Sequence, residues 1–522
     1  MKSIFKKFSI CAMALVVAAM PSCTDDFLTE EPQTSKSIEQ ILSDNDNIQY
    51  YLNGLYGKLR QCRNSREGLR LNHGTDELQI GECQLRDYPD KGAFDTFSPL
   101  YYSENSHFSQ LWNLRFPIAV QAAKVSRVLK NKLAADSTNV ELKSFLGQAA
   151  FYEATALFEM VWYWGELPIT TISEDGNIVM SGRRPLNEVY KHMMDLYTVA
   201  ANNLPAKRQG DGRIPTQWTA KVMMAKIYMA AETPEYRDYE KAKSLLKDVV
   251  DNGGFSLMPK FADLWDHTQN CDNESVWTYY FNNITDKCQL QWYCGSRAAS
   301  DWANQGCPHG GYEEALPTAY AYSTVAQGGI WEEGDTRYDA TIRTDFDWNG
   351  KKAAVVTGFG NDQLDPHIKK YEDDRIVELD VNFWDCGKNT YYLRYADVLM
   401  LYAEALNECG ATAEAVGIIN DQVRARAWGW NLPDDKKWST GMSQEDFRTN
   451  ILDERMRELM AEMWRRYDLI RTGKYVEYTS VRNKVARENG NMQDFHKRFP
   501  VPYTEITQNE FISMGDQNPG LR

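Results

Sequence analysis

The run at 291–306, QWYCGSRAASDWANQG, sets the rings of Trp292, Tyr293 and Trp302 among the polar groups of Arg297, Asp301, Asn304 and Gln305. Flat rings cover apolar C–H faces, while guanidinium, carboxylate and amide groups bond hydroxyls, so this mixture suits a polyhydroxylated ring such as a sugar. An earlier stretch adds Asp76, Glu77, Tyr101 and Tyr102, and Trp331 shares the aperiodic region of the first set. Core packing is the competing use of any one of these tryptophans. Trp112, Trp162, Trp218 and Trp464 lie on helical stripes or at helix boundaries and read as scaffold. Trp292 and Trp302, in polar Gly-flanked surroundings, are the ones expected at the surface.

Bond-breaking chemistry has less support. The sequence contains no Gly-x-Ser-x-Gly, no His-Glu-x-x-His and no Walker loop. Glycosidase carboxylates come from distant parts of a chain, so a helical-barrel glycoside hydrolase remains the enzymatic alternative. DFDWNG at 345–350 places Asp345, Asp347, Asn349 and Gly350 as in a calcium loop, but its twelfth position is Val356 where a bidentate Glu is needed. An Asn-Gly hairpin turn is the better reading. His309 beside Cys307 has no other ligand at metal spacing, and no Cys-x-x-Cys occurs, so no metal is expected.

The elements that would hold these residues are mainly helices. Apolar positions recur at three- and four-residue steps over 48–59, 108–133, 142–162, 186–204, 216–231 and 239–250. Three more helices are expected between Tyr391 and Lys474: one through Tyr395, Leu399 and Leu406, one through Val416 and Val423, and one from Leu452 to Ile470. The pair at 216–231 and 239–250 resembles a degenerate tetratricopeptide unit. Residues 63–103 and 253–389 lose the period. The fold class expected is therefore a mainly α, tetratricopeptide-like helix-pair scaffold over about 38–252 and 390–522, forming a single domain. An irregular, loop-rich insertion at about 253–389 would carry short β hairpins, with strand-like runs at 275–281, 340–346 and 352–357. Charged pairs such as Arg394 with Asp397, Glu454 with Arg457 or Glu458, and the set Arg465, Arg466, Asp468 and Arg471 read as surface helix pairs.

A net charge of −15, with no basic block after the N-terminus, makes nucleic acid a poor partner. Lys2, Lys6 and Lys7 precede an apolar run from Phe8 to Met20, and small Ser22 precedes Cys23. This is the form of a secretory signal over 1–22, too short to span a membrane. A cysteine in that place resembles a lipoprotein cleavage site, which implies a diacylglyceryl lipid on the Cys23 thiol and no other cofactor. Residues 23–37 read as a polar tether, and Asp25 and Asp26 resemble an acidic signal for the outer face. Eight further cysteines leave disulfides and free buried thiols equally open.

LRYADVLMLYAEALNE, IINDQVRARA and ERMRELMAEMWRRYDLIRTGK, with FPVPYTEI and DQNPG near the C-terminus and DFLTEEP near the N-terminus, resemble the SusD/RagB family. The resemblance implies a lipid-anchored protein on the outer-membrane surface of Bacteroidetes-type bacteria. Such a protein captures a glycan and hands it to a TonB-dependent, SusC-like transporter without breaking bonds. RagB-like members suggest peptide cargo as the alternative. In relatives the groove forms where the early loop and the insertion meet, which implies a region rather than particular residues.

Overall fold

The computed structural model describes residues 37–521, apart from 209–210, 283–284, 300–306, 308, 345–346, 349–350, 353–365, 374 and 376–385. The expected signal, the tether and Cys23 therefore lie outside the described residues, save Ser37 at the tether's end.

The longer helices are α1 (Asn45–Asn64), α2 (Phe116–Ala135), α3 (Val140–Trp164), α4 (Leu186–Asn203), α5 (Gln217–Ala230), α6 (Tyr239–Asn252) and α7 (Tyr395–Glu408). Asp44 caps α1 by accepting from the Asn47 N–H at 2.8 Å. Thr216 closes a capping box at the start of α5. α3 is apolar nearly all round and buried over most of its length, as a central helix must be. It ends at Gly165, whose φ of 75° suits a residue without Cβ.

Successive helices pack as neighbours: α2 on α3, α3 on α4, α4 on α5, and α5 on α6. α6 then packs directly on α7, although the insertion separates them in sequence. The aperiodic segment is thus threaded out of the stack without interrupting it, which agrees with the expected helix-pair scaffold. α8 (Thr412–Ile418) folds back on α7 and continues through a π-helical turn at Ile419–Arg424 to Ala427. α9 (Gln444–Leu459) and α10 (Arg465–Arg471) close the chain's C-terminal part.

Four expectations need correction. Residues Thr390–Arg394 form a strand, not the first turn of α7. They pair antiparallel with Ser275–Tyr279, and both strands are buried throughout, a setting that favours aromatic and β-branched residues in extended form. The stretch at 108–133 divides into Ser106–Asn113 and α2, because Pro117 lacks an N–H to donate and can stand only in a first turn. Residues 63–103 carry short helices at Arg66–Leu69, Glu82–Asp87 and Pro89–Thr96 instead of an irregular loop.

The fourth is the helix expected over 452–470, which breaks between α9 and α10. Ala461 and Met463 both have φ of 64°, in the left-handed region. Side chains take over the backbone groups there. Arg394 and Lys370 donate to the Glu458 carbonyl, Lys370 also to that of Met460 at 2.9 Å, Tyr371 to that of Ala461 at 2.7 Å, and Arg63 to that of Glu462. The Ala461 N–H donates to Glu77 at 3.1 Å. Buried partners on both sides thus replace the helical ladder.

One apolar cluster fills the helical stack, and Trp112, Trp162, Trp218 and Trp464 belong to it as expected. A second lies under the insertion, joining Phe261, Trp265, Leu290, Trp331 and Tyr371 to Met456, Met460 and Met463 of the closing segment. The hairpin reading of 347–351 agrees with the structure, where Asp347–Trp348 pairs with Lys351–Lys352. Asp345, Asn349, Gly350 and Val356 of the calcium-loop comparison lie outside the described residues.

Candidate functional site

The early segment and the insertion do meet. Leu78–Gln79 pairs antiparallel with Leu316–Pro317, the Gly81 N–H donates to the Glu313 carbonyl at 2.8 Å, and Gln84 donates to that of Tyr312 at 3.0 Å. Beneath the seam, the buried Glu314 carboxylate is shared by Lys91, at 2.7 Å, and Arg66. Burial pushes that carboxyl up, but Lys91 and Arg66 outweigh it and hold it below the usual range.

Within the insertion, the segment carrying Trp292, Tyr293 and Arg297 lies against 309–314. Tyr312 donates to the Trp292 carbonyl, Glu314 to that of Tyr293, and Ser296 to that of His309, each at 2.8 Å. Close approach depends on glycine. A Cβ at Gly311 would stand 2.2 Å from the Trp292 carbonyl oxygen, and one at Gly295 would stand 2.5 Å from that of Gly310. Glu313 adopts φ of 54° while its carboxylate accepts the Arg297 N–H at 2.9 Å. Non-glycine backbone in that region persists only where its surroundings fix it, and such positions cluster at binding sites.

What this seam offers outward is Tyr88, about half exposed, together with the partly exposed Tyr312, Tyr293 and Arg297. Lys91 stands 4.5 Å from the Tyr88 ring, and the Arg297 and Arg66 guanidinium groups lie at 5.8 Å from that of Tyr312. Rings bordered by guanidinium and carboxylate groups are the arrangement that stacks on a sugar face and bonds its hydroxyls. Open clefts of about 440 and 380 Å³ flank Tyr280 elsewhere; they are mostly polar and share that one ring.

The residues singled out from the sequence separate into groups. Trp292 is buried, so its expected exposure is corrected: its ring packs edge-on against Tyr312, centroids 4.8 Å apart, and supports it. Tyr293 and Arg297 reach the surface in part. Asp301, Trp302 and Asn304 lie outside the described residues. Asp76, Glu77, Tyr101 and Trp331 are buried. Asp76 is held by Arg465 through two hydrogen bonds of 2.7 Å. Glu77 bonds the helix break, and burial pushes its carboxyl up to about 8 although Arg465 opposes this. Tyr101 donates to the carbonyls of His496 and Arg498 within a ring cluster of Phe94, Phe108 and Phe499. Trp331 donates to the Ala321 carbonyl at 2.6 Å. Tyr102 is partly exposed. Tyr88 and Tyr312 escaped the sequence reading; an aromatic between charges in RDYPDK and another after paired glycines in HGGYEE are the signals that mark them.

The charged pairs expected at the surface are buried, and Arg394 does not pair with Asp397. Arg394 binds Glu274, Glu458 and Glu462, each at 2.8 Å; Arg426 reaches Glu274 and Glu458; Arg337 reaches Asp335, Glu454 and Glu458. Asp397 pairs with Lys226 and Arg455 instead. Burial alone would raise the Glu458 carboxyl, but Arg426, Arg394 and Arg337 hold it far below its ordinary value. Because Glu274, Asp335 and Arg337 belong to the insertion, this network joins the insertion to the closing helices. Glu274, Glu454, Glu458 and Glu462 each face two or more cations, which offsets the cost of burying their charge.

Two family models match the chain, "SusD family" over residues 265–520 and "Starch-binding associating with outer membrane" over residues 26–229. SusD-like protein P2 of Formosa agariphila is 25% identical over 540 aligned positions, covering 99% of this chain and 100% of its own length. Among solved structures, a SusD homolog from Bacteroides thetaiotaomicron superposes with a TM-score of 0.78 at 21% identity, covering 93% of this chain and 99% of its own. Surface glycan-binding protein A from Bacteroides thetaiotaomicron, in complex with laminarihexaose, gives 0.69 at 17% identity, covering 91% and 99%. With the helix-pair stack, its threaded insertion and two models that between them span most of the sequence, the chain belongs to the SusD/RagB family.

Proposed function

We propose that this protein is a cell-surface glycan-binding lipoprotein, captured cargo passing intact to a TonB-dependent SusC-like transporter. The observation carrying the reading is the seam between early segment and insertion, which leaves Tyr88, Tyr312, Tyr293 and Arg297 at least partly exposed, with Arg297 5.8 Å from the Tyr312 ring. Family membership and the laminarihexaose complex of a relative support a carbohydrate ligand. The rings supply apolar area, the charged groups bond hydroxyls, and no bond-breaking step is assigned to any residue.

The anchor proposed is a diacylglyceryl group on Cys23 at the outer membrane. No helix among the described residues is long and apolar enough to cross a membrane. Calorimetry against a panel of oligosaccharides, with a reducing-sugar assay on the tightest binder, tests the cargo reading. Binding without sugar release is expected; release at turnover rates, or an empty panel beside a bound peptide, would overturn it. Cys23→Ala should shift the protein from the membrane to the soluble fraction, and retention in the membrane would refute the lipid anchor.

A further inference from the structure

Next to the seam, His309 converges with two side chains from a later part of the insertion, His367 and Glu372. His309 Nδ1 stands 2.9 Å and His367 Nε2 3.2 Å from Glu372 Oε1, and the three candidate donor atoms all lie within 4.8 Å of one another. Backbone bonds fix each of them. His367 is paired with Arg343 in the antiparallel ladder Ile342–Arg343 with His367–Ile368; the Glu372 N–H donates to the Lys369 carbonyl at 3.0 Å; and His309 is tied by its own carbonyl to Ser296. His367 is fully buried, while His309 and Glu372 are about one-tenth exposed. His309 and Glu372 line a cavity of about 580 Å³ whose walls include Trp265, Asp266, Asp339 and Lys388, and His367 lies buried beside them.

We propose that His309, His367 and Glu372 bind one divalent transition-metal ion of the zinc type, with the coordination position toward the cavity left to water or a ligand oxygen. With bonds of about 2.0–2.2 Å, neighbouring donors in a tetrahedral zinc site stand about 3.4 Å apart, close to the two spacings seen. Two imidazoles and one carboxylate favour zinc, cobalt or nickel over calcium or magnesium, which take oxygen ligands.

Arg343 grips Glu372 with two bonds of 2.6 Å. On binding, it keeps Oε2 while Oε1 turns to the ion, the outer contact that orients ligating carboxylates elsewhere. Its charge, with those of Lys369 and Lys388, lowers affinity, and Asp266 and Asp339 across the cavity partly offset them. The geometry stands apart from the glycan reading and fails or holds without it.

The test uses the full mature chain stripped with EDTA, titrated with zinc chloride by calorimetry and with cobalt chloride by visible absorption. One ion per chain in the micromolar range is expected, with a cobalt ligand-field band. His309→Gln and His367→Gln should each weaken it about tenfold or more. Millimolar calcium or magnesium should leave it unchanged. No stoichiometric uptake by the wild type overturns the site, as does uptake that both variants retain. Melting curves establish that each variant is folded, and the partly exposed His309 gives the variant with least cost to folding.

Discussion

The guanidinium of Arg465 grips the Asp76 carboxylate through two parallel bonds of 2.7 Å, joining residues 389 positions apart in the chain. Arg482 reaches the same carboxylate at 3.1 Å. Asp76 therefore holds the early segment to α10. Asp76→Ala leaves Arg465 buried without its partner and should cost about 3–5 kcal/mol in denaturant unfolding. A folded, equally stable variant with weakened glycan affinity would return Asp76 to the list of ligand contacts.

Seam rings should separate by what they touch. Tyr88→Ala and Tyr312→Ala each remove a stacking platform, a loss of about 0.5–1.5 kcal/mol, or roughly 2- to 13-fold in Kd, by calorimetry. Tyr88→Ala should leave the melting temperature in place. Trp292→Ala should lower both melting temperature and affinity, because the buried indole supports Tyr312. Wild-type affinity in the Tyr88–Tyr312 double variant would remove the seam as the binding site.

Acid should destabilise the protein earlier than carboxylate titration predicts. Burial pushes His73 down to about 3, and burial with Arg466 pushes His496 down to about 4. Both are neutral in the folded chain, while the unfolded chain takes up protons below about pH 6.5. Their contribution is thus complete above pH 6.5 and is lost as pH falls toward 4 and then 3. At pH 5 the share of His73 is about 2 kcal/mol. Neither ring nitrogen of His73 has a hydrogen-bond partner among the described residues, so His73→Leu should flatten the pH 5–7 slope of melting temperature at little cost at pH 7. An unchanged slope would assign the titration to other groups.

Cys288 and Cys386 exchange backbone bonds of 2.8 Å in both directions, and their thiols face each other in a buried bridge. Such a pair has Cα atoms about 5.5 Å apart, within the span a disulfide requires. A disulfide oxidant such as diamide should therefore crosslink these two before the other described cysteines. Peptide mapping without reductant should find 288 joined to 386, raising the melting temperature. A different first pair would contradict the prediction.

Much of the fold was legible because helices announce themselves locally: the periods of α3, α5 and α6 and the caps at Asp44 and Thr216 are written within a few residues. What escaped depends on partners remote in sequence. Leu452 to Ile470 keeps a helical stripe across a break at which Arg63, Glu77, Lys370, Tyr371 and Arg394, all remote in sequence, take over the backbone bonds. Arg394, Glu454 and Glu458 look like exposed helix charges until Glu274 and Arg337 arrive from the insertion. The meeting of early segment and insertion was expected as a region; of the seam's outward groups Tyr293 and Arg297 were read from the sequence, and Tyr88 and Tyr312 were not. Trp292 has polar neighbours in sequence yet is buried against the Tyr312 ring, and Tyr312 owes its place to Gly295 and Gly311.

The interrupted helix between Met460 and Trp464 has an evolutionary and engineering consequence. Because its carbonyls are held by Lys370 and Tyr371, the insertion and the closing helices should melt in a single transition, and neither can be exchanged whole without the other. Cargo preference can drift only at loop tips that leave those anchors untouched. A transplant of specificity from one relative to another should carry 289–314 together with the segment around Tyr88 and keep the recipient's own Lys370 and Tyr371 latch.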